Sequence, residues 1–294
     1  MTTVALVGTG RMGSAMARAL ARGGASVVLC NRTPESARAL AEELGAQVAD
    51  SAAAAAAGAD VAITMLADGD AVRNMWEGPA GLVAGAHEGG VLVDMSTVPP
   101  DTLATFEASV RKRGSGILDA PVSGSTTLAE AGQLTIMAGG SAQDLERARE
   151  VLDLVAKGVT HVGPLGSGAA LKLAVNALIF ALSNSLSEAL VLAEQAGLDR
   201  AVAYDVFVSS AAGAPFVGYK RDAYVDPDGT PVAFSLDLAA KDLRLIIGLA
   251  EQLGVPMPQA RVNQQMIAEA SAQLGGGRDA SAVADHLRQL TTSG

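Results

Sequence analysis

The first half of the chain alternates short apolar runs with stretches of helical periodicity. Val4–Val7, Val27–Cys30, Val61–Leu66, Val91–Asp94, Ile117–Asp119 and Leu134–Ala138 are almost continuously apolar, which predicts strands buried on both faces. Between them, Met12–Arg22, Pro34–Leu44, Ala52–Ala57, Ala71–Trp76 and Pro100–Arg113 predict helices, with Asp50 or Ser51 capping the alanine run. Strand–helix alternation of this kind predicts a mostly parallel, doubly wound sheet covered on both faces. The pattern changes after Val162. The segment Gly163-Pro164-Leu165-Gly166-Ser167-Gly168 reads as a turn, and beyond it strand signals almost vanish. Helices are expected at about Ala169–Ala196, Arg200–Ala211, Ser235–Leu253, Gln259–Ala272 and Ser281–Leu290, with a loop at Asp226-Pro227-Asp228-Gly229-Thr230-Pro231. The chain therefore divides into an α/β domain over 1–163 and an all-α domain over 164–294, entered by a long helix.

Composition narrows the classes. A chain of 294 residues has room for about two domains. A hydrophobic fraction of 49% and a mean hydropathy of +0.30 oppose disorder, though much of that fraction is alanine. The richest stretch, Leu171–Leu192, contains Lys172, Asn176, Asn184 and Glu188, so it reads as a buried core helix and no membrane is expected. A net charge of −10 and 3% aromatics oppose binding to a phosphate backbone or to stacked bases, so no nucleic-acid partner is expected. Cys30 is the single cysteine and closes an apolar strand, which predicts a buried structural thiol and a reducing compartment. Thr3–Val7 already reads as a strand, so no signal peptide is expected and the cytoplasm is the expected location. His87, His161 and His286 lie far apart without ligand spacing, so no metal is expected.

Gly8-Thr9-Gly10-Arg11-Met12-Gly13 fits G-x-G-x-x-G, directly after a strand and opening a helix. Gly8 permits the tight turn, Gly10 lets a pyrophosphate approach the backbone, and Gly13 lets the helix pack close to the sheet. Free N–H groups and the helix dipole favour the phosphates. The first domain is thus expected to be a dinucleotide-binding Rossmann domain. The end of the second strand selects between the nicotinamide cofactors: an acid holds a ribose 2′-hydroxyl, whereas an Arg accommodates a 2′-phosphate. Here it reads Leu29-Cys30-Asn31-Arg32-Thr33, without an acid at that place; Glu35 lies inside the next helix. Asn31 and Thr33 offer neutral hydrogen bonds and Arg32 a fixed fork of donors, so NADP(H) is the expected cofactor. Thr33-Pro34 also reads as an N-cap and first helical position.

Hydride transfer to a carbonyl needs an acid for the new alkoxide. Lys172 lies in an apolar helix, one turn from Asn176 on the same face. A desolvated lysine suits acid/base work, while a lysine snorkelling near a helix start fits the same pattern. Asp119-Ala120-Pro121-Val122-Ser123-Gly124-Ser125 follows a strand, where α/β folds bind ligands; Ser123 and the backbone at Gly124 could hold a carboxylate, or form an ordinary turn. Phe234, Asp237 and Lys241 share a helix face, where a surface ion pair is the plain explanation for the charged residues.

The chain resembles the β-hydroxyacid dehydrogenase family, which includes 3-hydroxyisobutyrate dehydrogenases and tartronate semialdehyde reductases. The resemblance runs through Gly8–Ala17, Asp119–Gly124, Gly132-Gln133-Leu134, Met137–Gly140, Gly166–Asn176 and Lys241-Asp242-Leu243, in order along nearly the whole chain. It implies reversible hydride transfer between NADP(H) and a short 3-hydroxy acid or its semialdehyde. Lys172 would be the general acid/base, and Ser123, Gly124 and Asn176 would hold the substrate carboxylate. Leu66, Ala67 and Thr97 would line the cofactor, Thr97 near the nicotinamide, and Lys241 would reach it from the helical domain. Members pack their helical domains as homodimers or homotetramers.

Two features depart from the family pattern. Ser125 follows Gly124 where the family often has a second glycine, so its hydroxyl could narrow the carboxylate site or make a new contact. Ser209–Lys220 lacks a subgroup pattern, which leaves the acyl group of the substrate open. Two rival functions are an imine reductase on the same architecture and a cofactor-binding sensor or scaffold without turnover. Retention of Lys172, Ser123 and Asn176 favours the hydroxy-acid reading.

Overall fold

The computed structural model describes residues 2–292. The chain forms two compact units, Met1–Lys172 and Leu173–Gly294.

The first unit is built on one sheet of β1 (Thr3–Val7), β2 (Ser26–Cys30), β3 (Gln47–Val48), β4 (Val61–Thr64), β5 (Val91–Asp94), β6 (Gly116–Asp119), β7 (Val122–Ser123), β8 (Leu134–Gly140) and β9 (Ala156–Gly163). The spatial order is β3-β2-β1-β4-β5-β6-β8-β7, with β9 also paired to β8. Pairing is parallel except where β8 runs antiparallel to β6 and β7. The order reverses at β1, where β2 lies on one side and β4 on the other, and that reversal opens the crevice in which α/β sheets bind ligands.

Its helices are α1 (Arg11–Arg22), α2 (Pro34–Leu44), α3 (Ala52–Ala56), α4 (Gly69–Trp76), α5 (Leu82–Gly85), α6 (Ala104–Lys112), α7 (Thr126–Glu130) and α8 (Ala142–Asp153). The two-residue period of the strands supplies two cores. Val4 and Leu6 join a cluster with Met16, Leu20 and Leu40, while Ala5 and Val7 join one with Trp76, Leu82 and Phe106. Both faces are therefore covered, as the continuous apolar runs require. The alanine helix is capped by Ser51, whose Oγ accepts from Ala54 N at 3.0 Å. The helix expected from Pro100 begins at Ala104, because Pro99 to Leu103 form a turn with Thr102 N–H donating to Pro99 O at 3.1 Å. Hydrophobic patterning did not single out α8 or β9. β9 is an edge strand whose residues are mostly exposed or half-buried, so it carries little apolar signal.

Helix α9 (Ser167–Gln195) begins in the first unit and continues into the second. The second unit adds α10 (Arg200–Ser209), α11 (Pro215–Tyr219), α12 (Arg221–Val225), α13 (Leu236–Leu253), α14 (Pro258–Leu274), a 3₁₀ turn at Ala280–Ala282, and α15 (Val283–Thr292). Leu173, Phe180, Leu243, Ile246 and Ile267 form one of its cores, and Leu190, Tyr204, Phe216 and Tyr224 form another. Helix α9 is long and apolar enough to cross a membrane by length and composition. Its polar side chains nonetheless bond inside the unit: Asn184 Nδ2 donates to Asn263 Oδ1 at 3.0 Å, and Ser183 Oγ lies 2.9 Å from Tyr224 Oη. One face of the helix is thus packed in the core, while Leu178 and Leu192 are exposed. The segment Ser209–Lys220 ends in a buried ion pair, Lys220 Nζ to Asp279 Oδ1 at 2.7 Å.

Candidate active site

The glycine loop joins β1 to α1. Gly8 has φ +107°, and a Cβ there would lie 2.3 Å from Met65 O. A Cβ on Gly13 would lie 2.0 Å from Gly8 O, so the helix start seats directly on the loop. A Cβ on Gly10 would meet nothing within 4 Å, which leaves open space over the helix N-terminus. Gly10 is the N-cap, makes no side-chain cap bond, and the first turn of α1 holds no acid. Exposed Arg11 and half-buried Met12 follow it. A crowded Gly8 and Gly13 flanking an open Gly10, at a helix N-terminus without negative charge, fits a pyrophosphate.

The end of β2 is tied to this loop. Gly8 N–H donates to Cys30 O at 2.9 Å, and Thr9 N–H donates to Asn31 Oδ1 at 3.2 Å. Asn31 Nδ2 donates to Thr33 O at 3.0 Å and to Ser36 Oγ at 2.8 Å. Asn31 thus braces the loop with its whole amide. Arg32 and Thr33 are exposed beside it. Glu35 pairs with Arg38 at 3.7 Å, one turn along the helix. Thr33 is the N-cap of α2 in extended backbone but without a side-chain cap bond, and Pro34 starts the helix. Cys30 is buried, and burial pushes its thiol pKa up, which keeps it protonated and inert.

Next to the crevice, the ends of β4 and β5 are locked by Asp94, a residue absent from the sequence-based candidates. Asp94 Oδ1 accepts from Thr64 Oγ1 at 2.6 Å and from Ser96 Oγ at 2.7 Å. Thr64 Oγ1 accepts from Trp76 Nε1 at 3.2 Å, and Ser96 Oγ accepts from Leu66 N–H at 2.9 Å. This network joins the loop carrying half-buried Leu66 and exposed Ala67 to the loop carrying half-buried Thr97. The other oxygen of Asp94 is buried without a hydrogen-bond partner, and desolvation raises the carboxyl to about 6.

Asp119 ends β6, in register with Asp94. It too is buried, and desolvation raises its pKa against the pull of backbone N–H donors. Half-buried Ser123 closes β7, and Gly124 follows with φ +144°. A Cβ on Gly124 would lie 2.8 Å from Leu134 Cδ2. The hydroxyl of Ser125 has a defined use: it caps α7, accepting from Leu128 N–H at 3.2 Å.

Lys172 is half-buried on α9, the last residue of the first unit. In the second unit, Asn176 is buried and its Nδ2 donates to Asp242 Oδ2 at 2.7 Å. Lys241 Nζ comes within 2.9 Å of Asp242 Oδ1, off the line of an aligned hydrogen bond. The second unit thus brings Asn176 and Lys241 onto one carboxylate. Phe234 lies 6.1 Å from Phe180 between ring centroids, and Asp237 is exposed. The signal that could have found Asp94 was an acid closing an otherwise apolar strand, the place Asp119 holds on β6.

The comparisons with known proteins cover both units. Residues 3–163 match the family model described as the NAD binding domain of 6-phosphogluconate dehydrogenase. Residues 166–287 match the one described as NAD-binding of NADP-dependent 3-hydroxyisobutyrate dehydrogenase. The chain is 34% identical over 289 residues to 3-sulfolactaldehyde reductase of Escherichia coli, covering 98% of this chain and 96% of that one. A solved structure of Mycobacterium tuberculosis 3-hydroxyisobutyrate dehydrogenase with L-serine is 32% identical, with a TM-score of 0.83 over 98% of this chain and 99% of that one. Psf3, solved in complex with NADP+ and 2-OPP, is 26% identical, with a TM-score of 0.87 over 97% and 99%.

Proposed function

Because the chain belongs to the β-hydroxyacid dehydrogenase family, we propose that it interconverts a short 3-hydroxy acid and its semialdehyde with NADP(H). The observation that carries this reading is the end-to-end likeness to a 3-sulfolactaldehyde reductase and a 3-hydroxyisobutyrate dehydrogenase, whose names share the chemistry of a carbonyl or hydroxyl near an acidic group. When bound, the nicotinamide cofactor supplies or removes a hydride at the carbonyl carbon. The chain's own residues do the rest. Gly8, Gly10 and Gly13 present the α1 N-terminus to the pyrophosphate. Ser123 Oγ, the backbone at Gly124 and Asn176 hold the carboxylate, and Lys172 Nζ gives a proton to the alkoxide oxygen in reduction and takes one from the hydroxyl in oxidation.

NADP(H) is favoured over NAD(H) by exposed Arg32 at the end of β2, by the pairing of Glu35 with Arg38, and by the NADP named for both a matching family model and Psf3. The reading includes a homodimer or homotetramer. Support for it comes from Leu178 and Leu192 of α9, which are 74% and 72% exposed.

The test is NADPH oxidation against small aldehyde acids, succinic, methylmalonic, tartronic and glyoxylic among them, with cyclic imines in parallel. Turnover of an aldehyde acid that Lys172→Ala lowers by at least about a hundredfold is expected. Turnover of imines alone would move the protein to the other chemistry, and NADPH binding without any turnover would make it a sensor.

A further inference from the structure

Asp119 does something that neither the strand it ends nor the loop it opens requires. Its Oδ1 accepts from Gly166 N–H at 2.7 Å, and its Oδ2 accepts from Ala169 N–H at 2.7 Å. Ala169 lies in the first turn of α9, where helical N–H groups have no partner within the helix itself. A strand carboxylate therefore takes a role that a local Ser serves in α3, α7 and α8. The seat beneath it is tight. A Cβ on Gly139 would lie 2.4 Å from Asp119 Oδ1, and a Cβ on Gly168 would lie 2.3 Å from Met137 O and 2.7 Å from Asp119 O. These contacts account for the glycines at 139 and 168. They leave the first turn of α9 one place to sit on the sheet.

Lys172 is three residues beyond Ala169, on the next turn of the same helix. Four residues after Asp119 comes Ser123. We propose, building on the reading of Lys172 as the proton-transfer group, that Asp119 is the positioning residue that sets Lys172 at its working place by anchoring the start of α9 to the end of β6. An asparagine at 119 keeps one acceptor and turns a donor toward the other of the Gly166 and Ala169 N–H groups, a shortened side chain releases both, and the lysine moves with the helix turn that carries it. A misplacement of about 1 Å is enough to cost about a hundredfold in rate. A purely structural staple would instead loosen the whole dinucleotide-binding unit.

The experiment compares full-length Asp119→Asn with the wild type. It measures kcat and KM for the aldehyde acid of the proposed panel that the wild type turns over, NADPH affinity by fluorescence titration, and acylation of Lys172 in the enzyme without substrate. Acylation is read by peptide mass spectrometry against exposed Lys157. Expected are a fall in kcat of about 10–100-fold with NADPH Kd within about twofold, and a change in relative Lys172 acylation of at least about threefold. A folded Asp119→Asn enzyme with unchanged kcat and unchanged acylation overturns the proposal. So does a loss of NADPH affinity in step with kcat. If Asp119→Asn does not fold, Gly168→Ala displaces the same turn with the carboxylate intact, and wild-type kcat in that variant is the overturning result. Should Lys172→Ala keep full activity, the proton-transfer reading fails on its own. Acylation then decides the anchoring role: a change supports it and no change overturns it.

Discussion

Asn176 Nδ2 donates to Asp242 Oδ2 at 2.7 Å with both residues buried, and Lys241 Nζ approaches the second oxygen of that carboxylate to 2.9 Å. One acid thereby orients an amide proposed to touch substrate and an ammonium proposed to touch cofactor. Asp242→Asn replaces an anion with an amide and removes the charge that Lys241 faces. A hydrogen bond to a buried charged group is worth about 1.5–3 kcal/mol. The variant is expected to melt at lower temperature and to lose at least about tenfold in kcat/KM for the aldehyde acid. Melting curves and steady-state kinetics check both, and a variant equal to the wild type in each would remove Asp242 from the site.

Gly10 and Gly13 should fail differently. A Cβ on Gly13 meets Gly8 O at 2.0 Å in the protein itself, so Gly13→Ala is expected to lower the melting temperature. A Cβ on Gly10 meets nothing, so Gly10→Ala should fold normally and weaken NADPH binding by about tenfold or more, because the pyrophosphate needs that space. Thermal melts paired with NADPH titration separate the two. Equal melting loss in both would mean that Gly10 serves the fold.

Arg32→Ala tests the cofactor preference. Loss of a charged donor to a 2′-phosphate should raise the NADPH KM about 10–100-fold and leave the NADH KM near its original value. An unchanged ratio of the two would assign the preference to other groups.

Asp94 gives the protein a pH-dependent stability with a definite sign. Its carboxyl rises from the ordinary 3.8 to about 6 because desolvation outweighs the Thr64 and Ser96 hydroxyls. Between those values the folded chain holds a proton that the unfolded chain has released. This group's contribution to stability therefore declines as pH rises from about 4 to about 6 and stays low above that. Asp94→Asn cannot titrate. The melting temperature of the wild type minus that of Asp94→Asn should fall between about pH 4.5 and pH 7.5. Parallel curves across that range would show that the folded carboxyl ionises normally.

The sheet and the long helix were legible because strand burial on both faces and helical periodicity each leave a strong apolar signature. Ile63 and Leu118 enter one core, Leu92 and Ile117 the other, as a two-residue period demands. The glycine loop was legible because its spacing encodes its geometry. Less visible were parts whose meaning arises from distant partners. Asp119 reads as a strand end until Gly166 and Ala169 are seen to donate to it across 47 and 50 residues. That the amide of Asn31 also braces Thr9 and Ser36 is not visible from its place in the sequence. The short helices α11 and α12 hide because five residues cannot display a periodicity.

The boundary between the compact units falls between Lys172 and Leu173, inside the unbroken helix α9. Lys172 is thus grouped with the dinucleotide loop and Ser123, and Asn176, Lys241 and Asp242 with the helical unit. On the proposed reading, a recombination joint placed just after Lys172 would hand on cofactor binding and proton chemistry as one inherited module. The choice of acyl group could then be exchanged with the other module, without rebuilding the reaction each time a new substrate is adopted.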